Sequence, residues 1–385
     1  MNSRLLISFT TRPGHGSEGG VGWEFLLAAL RFCEERAETL HFVYDSRDHA
    51  AICHALGSGA VPANLRLHPV SQPRATARLS GDSRTRISYL GWWWNARRVV
   101  RRLVSSGGIR TSHQVTFASF LLPSALHRQR ATRCIWGPAM LPTSVVPAFG
   151  QTRDARISGL RAFAIALAGR VNTRGIDTLV ATNQATADLL ARFREDVVVE
   201  PNILVAQEEL PPEVPADERR DVVVAGLLIA RKRPWLAIDA MADPRLQGVK
   251  LLLVGDGPLR AQLQERAEAL GVSDRVCFLG RLSHAETLRV IAQSRILLHS
   301  AAREGAAWVV GEAASCGTLA LVLGDSGAGS TALLSANGSR VLTPTRDVVQ
   351  TISDHLVEAL ALPTPRRSER WRSERLDELL DTWWS

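Results

Sequence analysis

The 385-residue sequence predicts an α/β protein made of two doubly wound domains with parallel sheets. Three observations predict this. Short β-branched runs alternate with longer stretches of helical apolar spacing. The alternation occurs twice along the chain. An acidic, Pro-rich stretch without periodicity, residues 206–220 (AQEELPPEVPADERR), separates the two series. Strands that alternate with helices imply βαβ units and parallel sheets. Open sheets of this kind take ligands at the carboxyl ends of their strands, so a cleft faced by both sheets is the expected site.

In the first series, Arg4–Phe9 reads as a strand, Trp23–Arg36 as a helix and Leu40–Tyr44 as a second strand. Residues 71–86 are polar and Arg-rich and read as a mobile loop. Ile87–Ser105 then reads as a helix, and Val115–Phe120 and Arg133–Trp136 as short strands. Strand Thr178–Thr182, helix Gln184–Phe193 and strand Val197–Glu200 complete the series. After the Pro-rich stretch come strand Asp221–Ala225, a helix near Pro234–Met241, strand Lys250–Val254 and helix Leu259–Leu270. They are followed by strand Val276–Leu279, helix Ala285–Ala292, strand Ile296–His299, helix Ala306–Cys316 and strand Thr318–Leu323. Residues 366–385 have the spacing of a terminal amphipathic helix. The predicted domains are 1–205, a linker at 206–220, 221–365, and the helix at 366–385.

Composition narrows the function. Five scattered cysteines without a CxxC pair give neither a zinc knuckle nor a disulfide framework. The first residues carry too short an apolar core for a signal peptide, and no run approaches the roughly 20 apolar residues of a bilayer span. The expectation is a soluble, cytoplasmic protein. The net charge is +8, and only two of the 46 basic side chains are lysines, Lys232 and Lys250. In a chain that otherwise writes Arg, a Lys can mark a site that wants a compact ammonium. No RNP motif, zinc finger or basic zipper accompanies the charge, so nucleic acid is not an expected partner.

The sharpest motif is Ser300–Gly317, SAAREGAAWVVGEAASCG, where seven residues separate Glu304 from Glu312. A strand ends before Glu304, an Ala-rich helix follows Gly305, and Gly317 suits its C-cap. The first turn of such a helix favours a phosphate, and two carboxylates there can accept hydrogen bonds from sugar or ribose hydroxyls. Earlier, VVVAGLLIARKRP (Val222–Pro234) runs a strand into Gly226 and then a basic loop containing Arg231, Lys232 and Arg233. Positive charge at a helix start opposes the helix dipole, which favours a ligand-binding role over a bare helix end. LLLVGDGP (Leu251–Pro258) and VCFLGRL (Val276–Leu282) are strand–glycine turns that allow close backbone approach.

These segments resemble glycosyltransferase family 4. The resemblance implies the GT-B fold, two Rossmann-like doubly wound domains facing a cleft. It also implies sugar transfer from a nucleoside diphosphate sugar with retention. By resemblance, Glu304 binds the donor sugar hydroxyls, Glu312 the nucleotide ribose, and Lys232 neutralises the diphosphate. Gly305, Ala306, Arg231, Gly255, Arg281 and Leu282 line the donor, with the backbone at Arg281 and Leu282 near the base. Leu227 stands where the family has Arg, and Arg231 or Arg233 is left to supply that charge. No DxD motif is present, so no metal or other cofactor is expected beyond the donor co-substrate.

The other half of the chain is looser. Gly14, Gly16 and Gly19 match G-x-G-x-x-G, and Asp45 ends the second strand, which is the dinucleotide-binding pattern of an NAD-dependent oxidoreductase. Gly14 stands too far beyond the strand for that tight turn. The resemblance instead makes Gly16, Glu18, Gly19 and Gly20 an acceptor and diphosphate loop. His113, in SHQVTF, and Trp136-Gly137-Pro138 fall on family positions. They make His113 a candidate catalytic-site residue, with a hydrogen-bonded structural His as the alternative. Tyr89–Arg102 (YLGWWWNARRVVRR) reads either as an amphipathic helix that touches an anionic membrane or a lipid-linked acceptor, or as a helix with aromatic core contacts. Three tryptophans in a row cannot share one helix face, which favours the second. A silent sugar-nucleotide-binding subunit remains the third functional alternative.

Overall fold

The computed structural model describes residues 2–14, 17–57, 61–80, 86–117, 119–140, 167–191, 194, 196–302, 304–324 and 328–385. Among these, the chain forms two units. The first takes the residues up to Asn202 together with Glu374–Ser385, and the second runs from Ile203 to Ser373.

The first unit is built on seven strands: β1 (Ser3–Ser8), β2 (Thr39–Asp45), β3 (Leu65–Val70), β4 (Ile109–Gln114), β5 (Arg133–Ala139), β6 (Thr178–Ala181) and β7 (Val197–Val199). Their order is β3-β2-β1-β4-β5-β6-β7, and each neighbouring pair is parallel. The second unit has six: β8 (Val222–Ala225), β9 (Leu251–Val254), β10 (Val276–Gly280), β11 (Ile296–His299), β12 (Leu319–Leu323) and β13 (Arg340–Leu342), in the order β10-β9-β8-β11-β12-β13, again parallel throughout. Strands such as VVVA and ILLH are apolar along their length because helices cover both faces of such a sheet. The order reverses beside β1 in the first unit and beside β8 in the second. Those are the switch points at which doubly wound sheets bind ligands.

Two expectations are corrected. The strand read at Val115–Phe120 lies earlier, as β4. Gly107 and Gly108 turn the chain at positive φ directly after helix Arg86–Ser105, and Phe117 at φ 59° ends any extended run. β4 hid because IRTSHQ looks polar, yet all but Arg110 of it is buried. Its polar side chains are partnered inside: Gln114 donates to the Tyr89 hydroxyl at 2.9 Å and accepts from the Ala125 N–H at 2.7 Å, and Thr111 accepts from Arg4 at 2.6 Å. Part of the loop read at 71–86 is helical, Arg74–Ser80. It packs where Gly91 lacks a side chain, since a Cβ there would come within 2.2 Å of the Thr76 hydroxyl oxygen.

The tryptophan run divides as its spacing requires. Trp92 is fully buried, Trp93 donates to the Ser124 carbonyl at 2.7 Å, and Trp94 is 52% exposed. Residues 206–220, read as a linker, fold onto the second unit. Arg219 is buried there and donates to the Gly317 carbonyl at 2.7 Å, and Leu210 and Val214 pack on the core. The terminal helix spans only Arg375–Trp384 and belongs to the first unit. It buries Leu376, Leu380, Trp383 and Trp384, with Trp383 stacked on Phe25 and ion pairs Arg31–Asp377 (3.0 Å) and Arg36–Asp381 (2.7 Å) at its rim. Among the described residues no helix is long and apolar enough to cross a membrane.

Residues 366–373 instead serve the second unit. Trp371 is fully buried against Ile203, Val205 and Ala314, and its indole N–H donates to the Ser335 hydroxyl at 2.9 Å. Replacing Trp371 by Ala empties that pocket and is expected to cost about 3–5 kcal/mol. Urea unfolding followed by circular dichroism measures it, and an unmoved midpoint would contradict this packing.

Candidate functional site

β8 and β11 lie side by side at the switch point of the second sheet, and the loops that follow them are tied together. The Ser300 hydroxyl, just past β11, reaches the Lys232 and Arg233 carbonyls at 2.9 and 3.0 Å. Arg233, buried in a left-handed backbone conformation, donates back to the Ser300 carbonyl at 2.7 Å, and the Ala302 N–H donates to the Arg231 carbonyl at 2.8 Å. This clasp brings the Lys232 ammonium to 2.5 Å from Glu304 Oε1, with an Arg231 nitrogen 3.1 Å from the same oxygen. Arg233 is thus a structural residue, and Arg231 is the arginine that stands beside Lys232. Leu227, in the Arg position of the resemblance, is exposed. His299 closes β11 beneath the group. Burial and the neighbouring Lys232, Arg231 and Arg233 charges push its pKa down to about 3, so it is neutral at physiological pH.

Three neighbouring strand ends carry glycines at positive φ: Gly226 after β8, Gly255 after β9 and Gly280 closing β10. A Cβ on Gly255 would lie 2.0 Å from the Gly226 carbonyl oxygen. The close approach that selects Gly255 is therefore to another loop of the same unit. The Gly255 N–H reaches the Gly280 carbonyl at 2.7 Å, so the three loops form one connected rim.

Glu312 stands with a different group. It lies in helix Trp308–Ser315, which begins two residues later than the sequence predicts and leaves Gly305 and Ala306 in the loop. Gly317 at φ 73° ends it in a Schellman motif: the Thr318 N–H bonds the Ala313 carbonyl at 2.8 Å and the Gly317 N–H the Ala314 carbonyl at 3.1 Å. The Glu312 carboxylate, largely buried, lies 2.9 Å from His284 Nε2, and the other ring nitrogen is 3.5 Å from Glu209. The hydrogen bond to Glu312 raises the His284 pKa above its ordinary 6.5 against the opposing effect of burial. His284 opens its helix directly after Arg281, Leu282 and the capping Ser283, so Glu312 is coupled to the β10 loop. Sequence reasoning missed His284 and Glu209. The signal available was a histidine beside a capping box, S-x-x-E, on a helix start.

The first unit treats its predicted residues differently. His113 is fully buried. Its Nδ1 accepts from the Trp384 indole at 3.1 Å, which leaves Nε2–H to donate to the Gly137 carbonyl at 2.8 Å. Burial pushes its pKa down to about 4. Both nitrogens are engaged, which supports the structural alternative for His113 over the catalytic one. Trp136 is equally buried, edge-on to Phe120. Glu18, Gly19 and Gly20 lie in the first turns of helix Ser17–Glu35 rather than in a loop; Gly16 lies outside the described residues. Asp45, the ribose acid of the NAD reading, is 1% exposed and clasped by Arg47 at 2.8 Å, which speaks against that reading.

The His284–Glu312 contact makes a pH prediction. A histidine with a raised native pKa contributes stability that is complete below the unfolded-state value of 6.5 and is lost as pH climbs through the native value. The stability difference between the wild type and His284→Ala, measured by denaturation across pH, should be largest on the acid side and shrink above 6.5. A flat difference would show that the contact does not form.

Residues 206–374 match the family "Glycosyl transferases group 1". The phosphatidylinositol N-acetylglucosaminyltransferase gpi3 subunit of Schizosaccharomyces pombe is 30% identical over 170 residues, 43% of this chain and 36% of that protein. The 2-deoxystreptamine N-acetyl-D-glucosaminyltransferase of Streptomyces fradiae is 29% identical over 181 residues, 44% of this chain and 42% of that protein. The chain thus spans well under half the length of these relatives. Among solved structures, WaaG, a glycosyltransferase involved in lipopolysaccharide biosynthesis, superposes with a TM-score of 0.56 at 16% identity, covering 98% of this chain and 95% of its own. Anabaena Alr3699/HepE in complex with UDP gives 0.59 at 16%, covering 99% of each. The chain has the GT-B glycosyltransferase fold, and its second unit carries the match to the group 1 glycosyl transferases.

Proposed function

We propose that the protein is a glycosyltransferase that moves a sugar from a nucleoside diphosphate donor to an acceptor hydroxyl. The observation that carries this is the Lys232–Glu304 contact at the β8/β11 switch point. There an ammonium and a carboxylate now satisfy each other. A sugar diphosphate replaces that one contact by two, with phosphate oxygens on Lys232 and Arg231 and sugar hydroxyls on Glu304. Glu312 takes the ribose, its carboxylate steadied by His284, and the base lies along the backbone at Arg281 and Leu282. Gly305 and Ala306 bring the chain to the helix start beside the phosphates.

In the reaction the bond from the anomeric carbon to the diphosphate oxygen breaks and one to the acceptor oxygen forms. The acceptor proton passes to the leaving diphosphate, and the configuration is retained. Preorganised cations stabilise the charge that grows on the leaving group. Lys232 and Arg231 fill that role without a metal. N-acetylglucosamine is the first sugar to test, because both relatives are named for its transfer. Phosphatidylinositol and 2-deoxystreptamine, from the same names, open the acceptor panel.

Mass spectrometry of reactions with purified protein, UDP-, GDP- and dTDP-sugars and that panel tests the reading. Lys232→Ala should lower kcat/KM about 10²–10³-fold, the usual loss for one electrostatic contact to a developing anion. Glu304→Gln should lower it as well, and EDTA should leave the rate unchanged. No transfer with any donor, together with intact UDP binding, would favour a silent binding subunit. Unaltered rates in both variants would refute the site.

A further inference from the structure

The first unit holds a cavity of about 770 Å³ that no part of the proposed transfer uses. It opens at the amino ends of β4, β5 and β6, whereas the switch-point ligands of a doubly wound sheet sit at the carboxyl ends. Four arginines line it, Arg110, Arg128, Arg130 and Arg133, with Asp177 the one carboxylate among its lining residues. Among the described residues no carboxylate pairs with Arg110, Arg128 or Arg130. Four guanidinium groups against one carboxylate leave the cavity with an excess of positive charge, which favours a ligand of opposite sign.

The cavity wall is built rather than incidental. Arg128 lies over Gly175, where a Cβ would come within 2.2 Å of the guanidinium carbon, so a side chain there would move the guanidinium. Arg133 is held by the Ser385 carbonyl at 2.8 Å and the Thr178 hydroxyl at 3.3 Å. A tight turn closed by the Thr132 N–H on the Gln129 carbonyl, 2.9 Å, presents Arg130 at its tip. The Thr132 hydroxyl anchors that turn to the Ile109 carbonyl at 2.8 Å. Asp177 spends one oxygen on the Cys134 N–H at 2.7 Å and so braces the wall. Planar guanidinium forks match phosphate oxygens bidentately, and the volume is that of a small-molecule site.

We propose that this cavity is a second binding site, for a phosphate-bearing anionic ligand held by Arg110, Arg128, Arg130 and Arg133. The same chemistry is offered by a soluble phosphorylated metabolite and by the headgroup of an anionic phospholipid.

The test uses the full chain and inorganic tripolyphosphate, titrated calorimetrically with UDP at saturation so that the proposed donor site is filled. Arg110→Glu/Arg130→Glu changes two exposed side chains, and Gly175→Ala displaces Arg128 from a different direction. Each should weaken tripolyphosphate binding about tenfold or more, as expected for the loss of charge-assisted bonds, while UDP affinity and melting temperature of the double variant stay unchanged. A second arm measures sedimentation with phosphatidylcholine vesicles with and without phosphatidic acid. Vesicle binding that needs phosphatidic acid and disappears in the double variant identifies the lipid source. Loss confined to tripolyphosphate identifies the soluble one. Binding in both arms that is the same in wild type and double variant overturns the site. So does tripolyphosphate binding that falls only with Lys232→Ala, and that outcome leaves the donor-site reading intact.

Discussion

The site rests on the clasp between two loops at the β8/β11 switch point. One hydroxyl, that of Ser300, ties two carbonyls of the Arg231–Arg233 turn to the end of β11. Arg233 returns the bond from the other side. Without these bonds the 3₁₀ turn Ala230–Lys232 would have little to fix it, and the Lys232 ammonium would roam on a flexible four-carbon stem. With them, a lysine and a glutamate 72 positions apart in sequence meet at one point. The glycine rim around Gly226, Gly255 and Gly280 extends the same logic, since each loop is positioned by its neighbour's backbone.

Much of this was legible from sequence because the second unit obeys simple rules. VVVA, LLLV and LALVL are apolar strands each followed by a glycine. Lys232 and Glu304 stood out as unusual residues at strand ends. The first unit was harder because it buries polar side chains and pairs them far away in sequence. Thr111, His113 and Gln114 make β4 look like a surface segment until Arg4, Trp384 and Tyr89 are seen to satisfy them. The same masking made His113 look reactive when both its nitrogens were already committed. Periodicity reports only what is apolar, so partnered polar cores escape it.

Arginine use also separates the two kinds of basic residue in this chain. Some guanidinium groups are structural clips: Arg4 to Glu38, Arg219 to the end of helix Trp308–Ser315, Arg233 to Ser300. Each is buried and each bonds a carbonyl or carboxylate, as burial of a charge demands. Others, such as Arg110 and Arg130, line a surface without a carboxylate paired to them among the described residues. Total charge therefore says little about partners until the clipped arginines are set aside.

The return of Glu374–Ser385 to the first unit has a consequence for biogenesis. Trp383 and Trp384 complete the interior around Phe25, Phe32 and His113, and Arg4 bonds the Trp384 carbonyl. During synthesis this interior stays unfilled while the ribosome works through the whole of the second unit. Domains usually mature in the order in which they emerge; here the earlier one must wait for the last helix, its aromatic surface open to chaperones, and the second unit is free to fold first.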